Sequence, residues 1–169
     1  DYDRQLNLAQ VMPLLGYKGL MKSGAEVPSG LFFQLATWHT INFAYTRQAF
    51  ADFQSIYRDA AARRELDRLA RLIGQREGHW MALQVEQAKI DLSTEPSTRL
   101  HLDRLEPGLF HDITFEAFTL ATRSLVERVA ATVSALLDQA GLAREQVDTV
   151  YFTGGASGVP QLRARIAAE

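Results

Sequence analysis

Cysteine is absent from the 169-residue chain. Its absence excludes a disulfide scaffold, a thiolate metal site and a cysteine nucleophile, and it is compatible with a reducing, cytoplasmic setting. Long apolar runs are missing as well. None reaches the length of a transmembrane helix, and no basic-then-apolar segment typical of a secretory signal opens the chain. We therefore expect a cytoplasmic protein without a membrane partner.

The chain also lacks an excess of charge of one sign and the usual signatures of metal and hydrolase sites. Its 18 basic and 20 acidic residues are interspersed and give a net charge of -2, which argues against a nucleic acid partner. The 4 histidines show neither metal-ligand spacing nor a His-x-x-x-His pair, so no metal site is predicted. Ser157 lies in Gly-Ala-Ser-Gly rather than in the Gly-x-Ser-x-Gly of a nucleophile elbow. We therefore predict no catalytic residue in this chain.

Hydrophobic residues make up 47% of the chain and charged residues 22%, which allows a substantial core in one domain or two small lobes. Apolar residues at helical spacing predict helices over 1–15, with a bend at Pro13, and over 60–76, 79–92 and 115–140. We expect the charged side chains of the 60–76 helix to form a solvated face. The predicted apolar stripe of the 115–140 helix runs through Phe115, Phe118, Ala121, Leu125, Val129, Val133, Leu136 and Ala140.

The other segments before residue 115 predict a loop, part of the core and a hairpin. Residues 16–30 are rich in glycine and serine, which is typical of a loop, and the aromatic residues of 31–58 are expected in the core. Strict alternation over 98–105, followed by a second apolar stretch at 109–113, predicts an antiparallel hairpin with one buried face. Together these patterns indicate an α+β fold class, a mainly helical lobe with a small antiparallel sheet.

Near its end the chain combines a predicted strand, a double-glycine turn and a helix. Residues 147–152 are β-branched, aromatic and mostly apolar, which is typical of a strand buried on both faces of a parallel sheet. Partner strands are not evident, which indicates a piece of a longer chain. Gly154 and Gly155 permit a ligand to lie against the backbone, and the helix that Pro160 opens offers N–H groups to a phosphate or ribose.

A polar stripe is predicted on the 79–92 helix. Glu86, Lys89 and Ser93 fall at i, i+3 and i+7, so a carboxylate, an ammonium and a hydroxyl share one side, away from the apolar face. Two interpretations stay open. The stripe is either an exposed Glu–Lys ion pair beside a C-terminal serine, or a polar clamp in which the carboxylate accepts hydrogen bonds from ribose hydroxyls.

Four motifs in this order resemble one family, the 70-kilodalton heat-shock chaperones of the DnaK type, in the second half of the second lobe of their actin-like ATPase domain. The motifs are Asp1-Tyr-Asp-Arg-Gln-Leu6, Val85-Glu-Gln-Ala-Lys-Ile-Asp-Leu-Ser93, Glu106-Pro-Gly to Ile113-Thr114 followed by Phe118, and Thr153-Gly-Gly-Ala-Ser-Gly-Val-Pro160. The stretch 15–78 is longer than the corresponding connection in an ordinary DnaK-type chaperone, and in this the chain resembles the divergent YegD-like branch.

The resemblance implies an adenine nucleotide, ATP or ADP, held between two lobes. It implies that Glu86 and Lys89 lie at the ribose and Ser93 at the adenine. The adenosine and α-phosphate side is assigned to the glycine turn, with Gly154, Gly155, Ala156 and Gly158. It further implies that magnesium and the catalytic groups are held by parts of the family's domain outside these residues. We therefore expect a parent ATPase and no turnover by this chain alone.

Two positions depart from the family's motifs. The family has an arginine after the helix lysine, where this chain has Ile90, and another two residues before the proline, where this chain has Gly158. In the family those arginines pack against the adenine, so a cation–π contribution of about 1 kcal/mol each is missing here. Weaker nucleotide binding is the expectation.

The resemblance also implies a division of the chain. Residues 1–140 would form a helical and hairpin lobe that moves as a lid, with an insertion at 15–78, and residues 141–169 a partial strand-turn-helix unit. The insertion is a candidate surface for a nucleotide-exchange factor or co-chaperone. Two other functions stay open: another actin-like ATPase of the sugar-kinase or filament type, against which the Glu-x-x-Lys-x-x-x-Ser helix argues, and a nucleotide-independent helical interaction module.

Overall fold

The computed structural model describes residues 2–168, and the side chains of all of these except Ala156 and Ser157. The predicted first helix is confirmed, with its bend. It begins as α1 (Tyr2–Leu6), widens into a π-helical turn over Asn7–Val11 and tightens into a 3-10 turn over Met12–Leu15. The irregularity lies at Pro13, because proline has no N–H to donate and its ring crowds the preceding turn. Gly16 then ends the segment with a φ of 101°, a left-handed conformation that suits glycine.

The predicted loop over residues 16–30 is confirmed, since two isolated bridges, Leu20 to Glu26 and Met21 to Ala60, are its regular pairings among the described residues. Two short helices follow, α2 (Gly30–Leu35) and a 3-10 turn over Trp38–Tyr45. The longer α3 (Arg47–Asp59) is capped by Thr46, whose hydroxyl accepts a hydrogen bond from the Ala49 N–H at 3.2 Å.

The prediction that the aromatic residues of 31–58 lie in the core is wrong for half of them. Phe32 and Phe53 are buried, whereas the side chains of four others are 38–58% exposed, namely Phe33, Trp38, Phe43 and Phe50. The reason is that this segment is one layer of short helical pieces. Only one side of each piece faces the core, so aromatic residues one or two positions apart fall on both sides.

Helices α4 (Arg64–Gly74) and α5 (Gly78–Asp91) confirm the two predicted amphipathic helices. Their apolar stripes are buried as expected, in Leu66, Leu69, Leu72, Ile73, Met81, Val85, Ala88 and Leu92. The expectation of a fully solvated charged face on α4 is wrong at Arg68, whose side chain is 10% exposed. Its guanidinium donates to the Leu14 carbonyl at 3.1 Å and to Glu106, so the buried charge is compensated.

The predicted hairpin is present, with shorter strands than the sequence pattern spans. Strands β1 (Ser97–His101) and β2 (Phe110–Thr114) are antiparallel, with Leu100 opposite His111 and Thr98 opposite Ile113. One face is buried, since Leu100 and Ile113 are at most 3% exposed. The small sheet, together with the helices, confirms the α+β fold class.

Helix α6 (Phe115–Ala140) begins and ends where the sequence predicts. The Thr114 hydroxyl accepts from the Ala117 N–H at 3.2 Å, and Gly141 ends the helix with a φ of 65°. The predicted apolar stripe is partly wrong, because the buried row is Phe118, Thr122, Val126 and Ala130, and Leu136 is 58% exposed. Thr122 can be buried because its hydroxyl donates to the Phe118 carbonyl at 2.8 Å.

The strand predicted over residues 147–152 does not form. A strand needs a neighbour for its N–H and C=O groups, and the sheet of the described chain contains β1 and β2 alone. Val150 and Tyr151 are 53% and 86% exposed. The predicted last helix is present as α7 (Pro160–Ala167), with Pro160 in its first turn, and it packs on α6 through the buried Val159 and Leu162. None of the helices described over 2–168 is long and apolar enough to cross a membrane.

Candidate functional site

Helix α5 carries Glu86 and Lys89, and Ser93 follows directly after its end. The buried face of α5, with Val85 and Ala88, packs against α1, β1 and the 3-10 turn over Trp38–Tyr45. Because the helix is fixed on that side, its polar stripe has a defined direction. Glu86 is exposed, whereas Lys89 and Ser93 are partly buried.

The ion pair that forms on this stripe differs from the Glu–Lys pair considered from the sequence. Lys89 Nζ lies 2.8 Å from Oδ1 of Asp3 on α1, and the two side chains are 14% and 47% exposed. Ser93 Oγ donates to the Lys89 carbonyl at 3.1 Å, which is the local bond that a serine at a helix end commonly makes. Asp3 therefore positions the lysine, and the Glu86 carboxylate remains at the surface.

A small cavity lies beside Glu86, and sequence reasoning missed the residues that form it. Its volume is about 180 Å³, and its polar lining consists of Asp3, Asn7 and Glu86. Trp38, which the sequence assigned to the core, also lines it and is 55% exposed. The motif that contains Asp3 predicted the helix α1, but no pattern in the sequence predicted that Trp38 lies beside α5.

The double-glycine turn keeps the open backbone that the sequence predicts. Gly154 has a φ of 84°, and residues Gly155–Gly158 form a 3-10 turn. Apart from the neighbouring residues in the chain, no described atom lies within 4 Å of the position that a Cβ would take at Gly154, Gly155 or Gly158. A ligand could therefore approach the backbone directly. The side chain of Ala156, the remaining predicted residue of this turn, lies outside the described residues.

The two predicted parts of the site are held by different elements. Helix α5 packs on α1, β1 and the Trp38–Tyr45 turn, whereas the glycine turn packs on α7, and α7 packs on α6. The two positions where arginines are replaced are both at the surface, since Ile90 is 51% exposed and Gly158 is exposed. No group of three histidine, aspartate or glutamate side chains in the described chain could hold a metal ion.

A charged cluster fastens the hairpin to α4. Glu106, in the connection between β1 and β2, accepts from Arg64 at 2.7 Å and from Arg68 at 2.5 Å. These two hydrogen bonds lower the pKa of Glu106 from 4.5 to about 2. The cluster joins the stretch 15–78 to the Glu-Pro-Gly motif, a contact that sequence reasoning missed because Arg68 was taken as solvated.

Two groups near α1, the buried Tyr2 and the partly buried His111, have pKa values displaced by burial. Burial raises the pKa of the Tyr2 hydroxyl, which packs against Phe118 with ring centroids 6.4 Å apart. Burial lowers the pKa of His111, whose Nε2 lies 3.2 Å from Gln10 Oε1. Both groups belong to the packing of α1 on the hairpin and α6 rather than to the exposed stripe.

Comparison with known proteins finds one matching family model, described as Hsp70 protein, over residues 74–168. The chaperone protein DnaK of Halobacterium salinarum is 33% identical over 87 residues, which is 48% of this chain and 14% of that protein. Heat shock 70-related protein 5 of Dictyostelium discoideum is 34% identical over 83 residues, which is 48% of this chain and 16% of that protein. The matched region thus spans less than a fifth of the length of these relatives. No solved structure matches the chain.

Proposed function

Because the chain belongs to the Hsp70 protein family, we propose that it forms the adenosine side of a binding cleft for ATP or ADP. The observation that carries this proposal is the polar stripe of α5. Glu86, Lys89 and Ser93 lie on one side of a helix whose opposite side is buried, within the region that matches the family model. A stripe on a fixed helix presents its groups to a ligand with little loss of side-chain freedom.

The chemistry of these groups suits a nucleoside. The exposed Glu86 carboxylate accepts hydrogen bonds from the two ribose hydroxyls, and Lys89, held by Asp3, donates to a ribose oxygen. Ser93 serves the adenine. The hydroxyl already donates to the Lys89 carbonyl, so its oxygen remains as an acceptor for the adenine amino group.

The glycine turn forms the other part of the proposed site. The space beside Gly154, Gly155 and Gly158 supports a close approach of the adenosine and α-phosphate to the backbone, with Ala156 between them. In the full-length protein, hydrolysis of the bound triphosphate would relax the cleft between the two lobes. In this chain the residues bind and orient the nucleoside end.

We further propose that residues 1–140 move as one lid lobe and that 141–169 belong to the unit against which it closes. The proposal is supported by the packing of α1 on α5 and α6 and by the cluster of Glu106 with Arg64 and Arg68, which ties the stretch 15–78 to the hairpin. That stretch lies almost entirely before the family match. Its exposed aromatic residues make it a candidate surface for a nucleotide-exchange factor or co-chaperone.

Calorimetric titration of the full-length protein with ATP, ADP and GTP tests the proposed site. We expect adenine nucleotides to bind, and Glu86→Ala to weaken them about tenfold, because hydrogen bonds to a charged acceptor are lost. Gln87→Ala is the matched control, since Gln87 is exposed on the same helix and bonds Asp91 at 2.8 Å. Absence of any nucleotide binding would contradict the proposal and favour a nucleotide-independent interaction module. Equal binding by Glu86→Ala would show that Glu86 does not contact the nucleotide and would contradict the proposed site.

The two positions where the family has arginine provide a second test, in which binding should become tighter rather than weaker. Ile90→Arg and Gly158→Arg each restore a cation beside the proposed adenine position, so we expect each to tighten ATP binding by about 1 kcal/mol. Both positions are exposed, so neither substitution disturbs the core. Unchanged affinity in both variants would show that the base does not lie between these positions.

A further inference from the structure

A groove lies between α3 and α4, in the stretch that precedes the family match, and its volume is about 620 Å³. Its α3 wall is a stripe at helical spacing, because Phe50, Phe53 and Tyr57 fall at i, i+3 and i+7. Asp67 and Ala70 of α4 contribute to the opposite wall. Two helix faces therefore bound the groove, which is the arrangement that receives a third helix.

The apolar part of the lining is aromatic. Phe53 is buried, and its ring centroid lies 5.8 Å from that of Tyr57. Phe50 lines the same groove and is 50% exposed. A half-exposed ring next to a packed aromatic pair offers an incoming apolar side chain a surface to pack on. Aromatic residues are also among those that most often anchor protein interfaces.

Two guanidiniums line the groove without a carboxylate partner. Arg58 and Arg63 are both exposed, and neither forms an ion pair with a described acidic residue. Asp67 is the one carboxylate among the lining residues, all of which are described, and it already accepts from the Tyr57 hydroxyl at 2.6 Å. The Arg63 guanidinium lies 5.4 Å from the Tyr57 ring centroid. The groove thus combines an aromatic surface with an excess of positive charge.

We propose that this groove binds an acidic amphipathic helix of a partner protein. Such a helix places apolar side chains against Phe50 and Phe53, while carboxylates along its edge pair with Arg58 and Arg63. The planar guanidinium suits this role, because it donates two parallel hydrogen bonds to one carboxylate. A basic helix would meet two guanidiniums and one engaged carboxylate, so the charges select an acidic partner.

The inference rests on the proposed role of the stretch 15–78 as a partner surface, and it narrows that surface to one groove and one class of partner. It is separate from the proposed nucleotide site, since no residue of the groove belongs to α5 or to the glycine turn. Nucleotide titration therefore reports on that site alone, and binding of a helix reports on the groove.

Fluorescence anisotropy of the full-length protein with designed helical peptides tests the groove. The peptides, of about 18 residues, share one leucine-rich face and carry glutamate, glutamine or lysine along its two edges. We expect the glutamate peptide to bind about tenfold more tightly than the lysine peptide, with the glutamine peptide between them. Added salt should weaken the glutamate peptide and tighten the lysine peptide, because it screens attraction and repulsion alike.

Variants in the groove give the expected losses. Phe50→Ser removes the half-exposed ring and should weaken all three peptides about tenfold. Arg58→Glu combined with Arg63→Glu should reverse the order, so that the lysine peptide binds more tightly than the glutamate peptide. Arg47→Glu is the matched control, because Arg47 is exposed on α3 and does not line the groove. It should leave the order of the three peptides unchanged.

Equal binding of the glutamate and lysine peptides, or no binding of any peptide, would overturn the proposal. Loss of binding in Phe43→Ser but not in Phe50→Ser would also overturn it. That result would place the partner surface elsewhere on the stretch, since Phe43 is 58% exposed and does not line this groove. Light scattering of the protein alone tests another occupant. Self-association that Phe50→Ser abolishes would assign the groove to a second copy of the chain and overturn the proposal.

Discussion

Helix α5 and the glycine turn carry the two parts of the proposed nucleotide site, and they are held in different ways. Val85 and Ala88 on the back of α5 are at most 2% exposed, and Lys89 is fixed further by Asp3. The glycine turn instead follows residues 147–152, where the predicted strand has no partner. Its anchors are Val159 and Leu162, which lie against α6.

Preorganisation in this molecule therefore comes from tertiary burial more than from motif chemistry. Both parts fall within residues 74–168, the region that matches the family model. A packed helix face loses stability with every methylene removed from it, whereas an exposed segment loses little. Substitutions made in pairs, one in each part, therefore test whether α5 is held more firmly than the glycine turn.

The largest expected effect comes from the same substitution made at two sites, one in the core that α5 shares with α1 and α6 and one beside the glycine turn. Phe118 is fully buried under α1, and Phe118→Ala should lower the free energy of unfolding by about 3–5 kcal/mol. Phe152 is half-buried beside the glycine turn, where the Arg163 guanidinium lies 5.5 Å from its ring centroid, so Phe152→Ala should cost about 1 kcal/mol or less. Urea unfolding of both variants measures the difference, and equal losses would show that the two parts are equally packed.

The next effect concerns the ion pairs of the two parts. Asp3→Asn removes the partner of Lys89, which is 14% exposed, and should cost about 1.5 kcal/mol because a partly buried ammonium loses its counter-charge. Glu127→Gln removes the partner of Arg165, 3.2 Å away between α6 and α7, where both side chains are at least 35% exposed, and should cost about 0.5 kcal/mol or less.

Thermal unfolding of the two ion-pair variants at low and high salt checks this order. Salt should reduce the smaller, surface effect further and leave most of the larger one. A loss from Glu127→Gln that matches or exceeds the loss from Asp3→Asn would contradict the view that α5 is the firmer part.

The predictions from sequence succeeded where the signal is local. Thr114 begins α6 with a hydroxyl cap, and Gly141 ends it with a left-handed φ. Pro160 opens α7, and all three are as expected from residue type. Glu86, Lys89 and Ser93 share a stripe because helical spacing alone fixes that. Those features need no knowledge of what the helix packs against.

The failures concern contacts between residues distant along the chain. Arg68 was expected in solvent, yet it is buried against Leu14 and Glu106, partners that no periodicity connects. Trp38 was expected in the core, and the structure brings it to the surface beside α5. The strand over 147–152 has the right residue types but lacks a neighbouring strand, and β-propensity reflects packing against such a neighbour.

A smaller effect is expected from alanine at the two adjacent glycines of the turn. Gly154 has a φ of 84°, so Gly154→Ala should cost about 1 kcal/mol through backbone strain. At Gly155 φ lies outside the left-handed range, and no described atom beyond its chain neighbours lies within 4 Å of the added Cβ, so Gly155→Ala should be nearly neutral. Hydrogen exchange of the α7 amides, compared with those of α5, reports the local cost, and equal behaviour of the two variants would refute the strained turn.

The smallest effect should be that of acid on the hairpin, against which α5 packs through β1, because the Arg64 side chain that pairs with Glu106 is 73% exposed and solvent screens the pair. The pKa of Glu106 is lowered from 4.5 to about 2 by hydrogen bonds from Arg64 and Arg68. A carboxyl whose pKa is lower in the folded state stabilises the fold above pH 4.5, and that contribution disappears as the pH falls towards 2. Glu106→Gln should therefore flatten the loss of stability in this acid range, and Arg64→Ala should flatten it in part. Urea midpoints measured across the range decide the matter, since an unchanged slope in Glu106→Gln would mean that the cluster does not bind its carboxylate in solution.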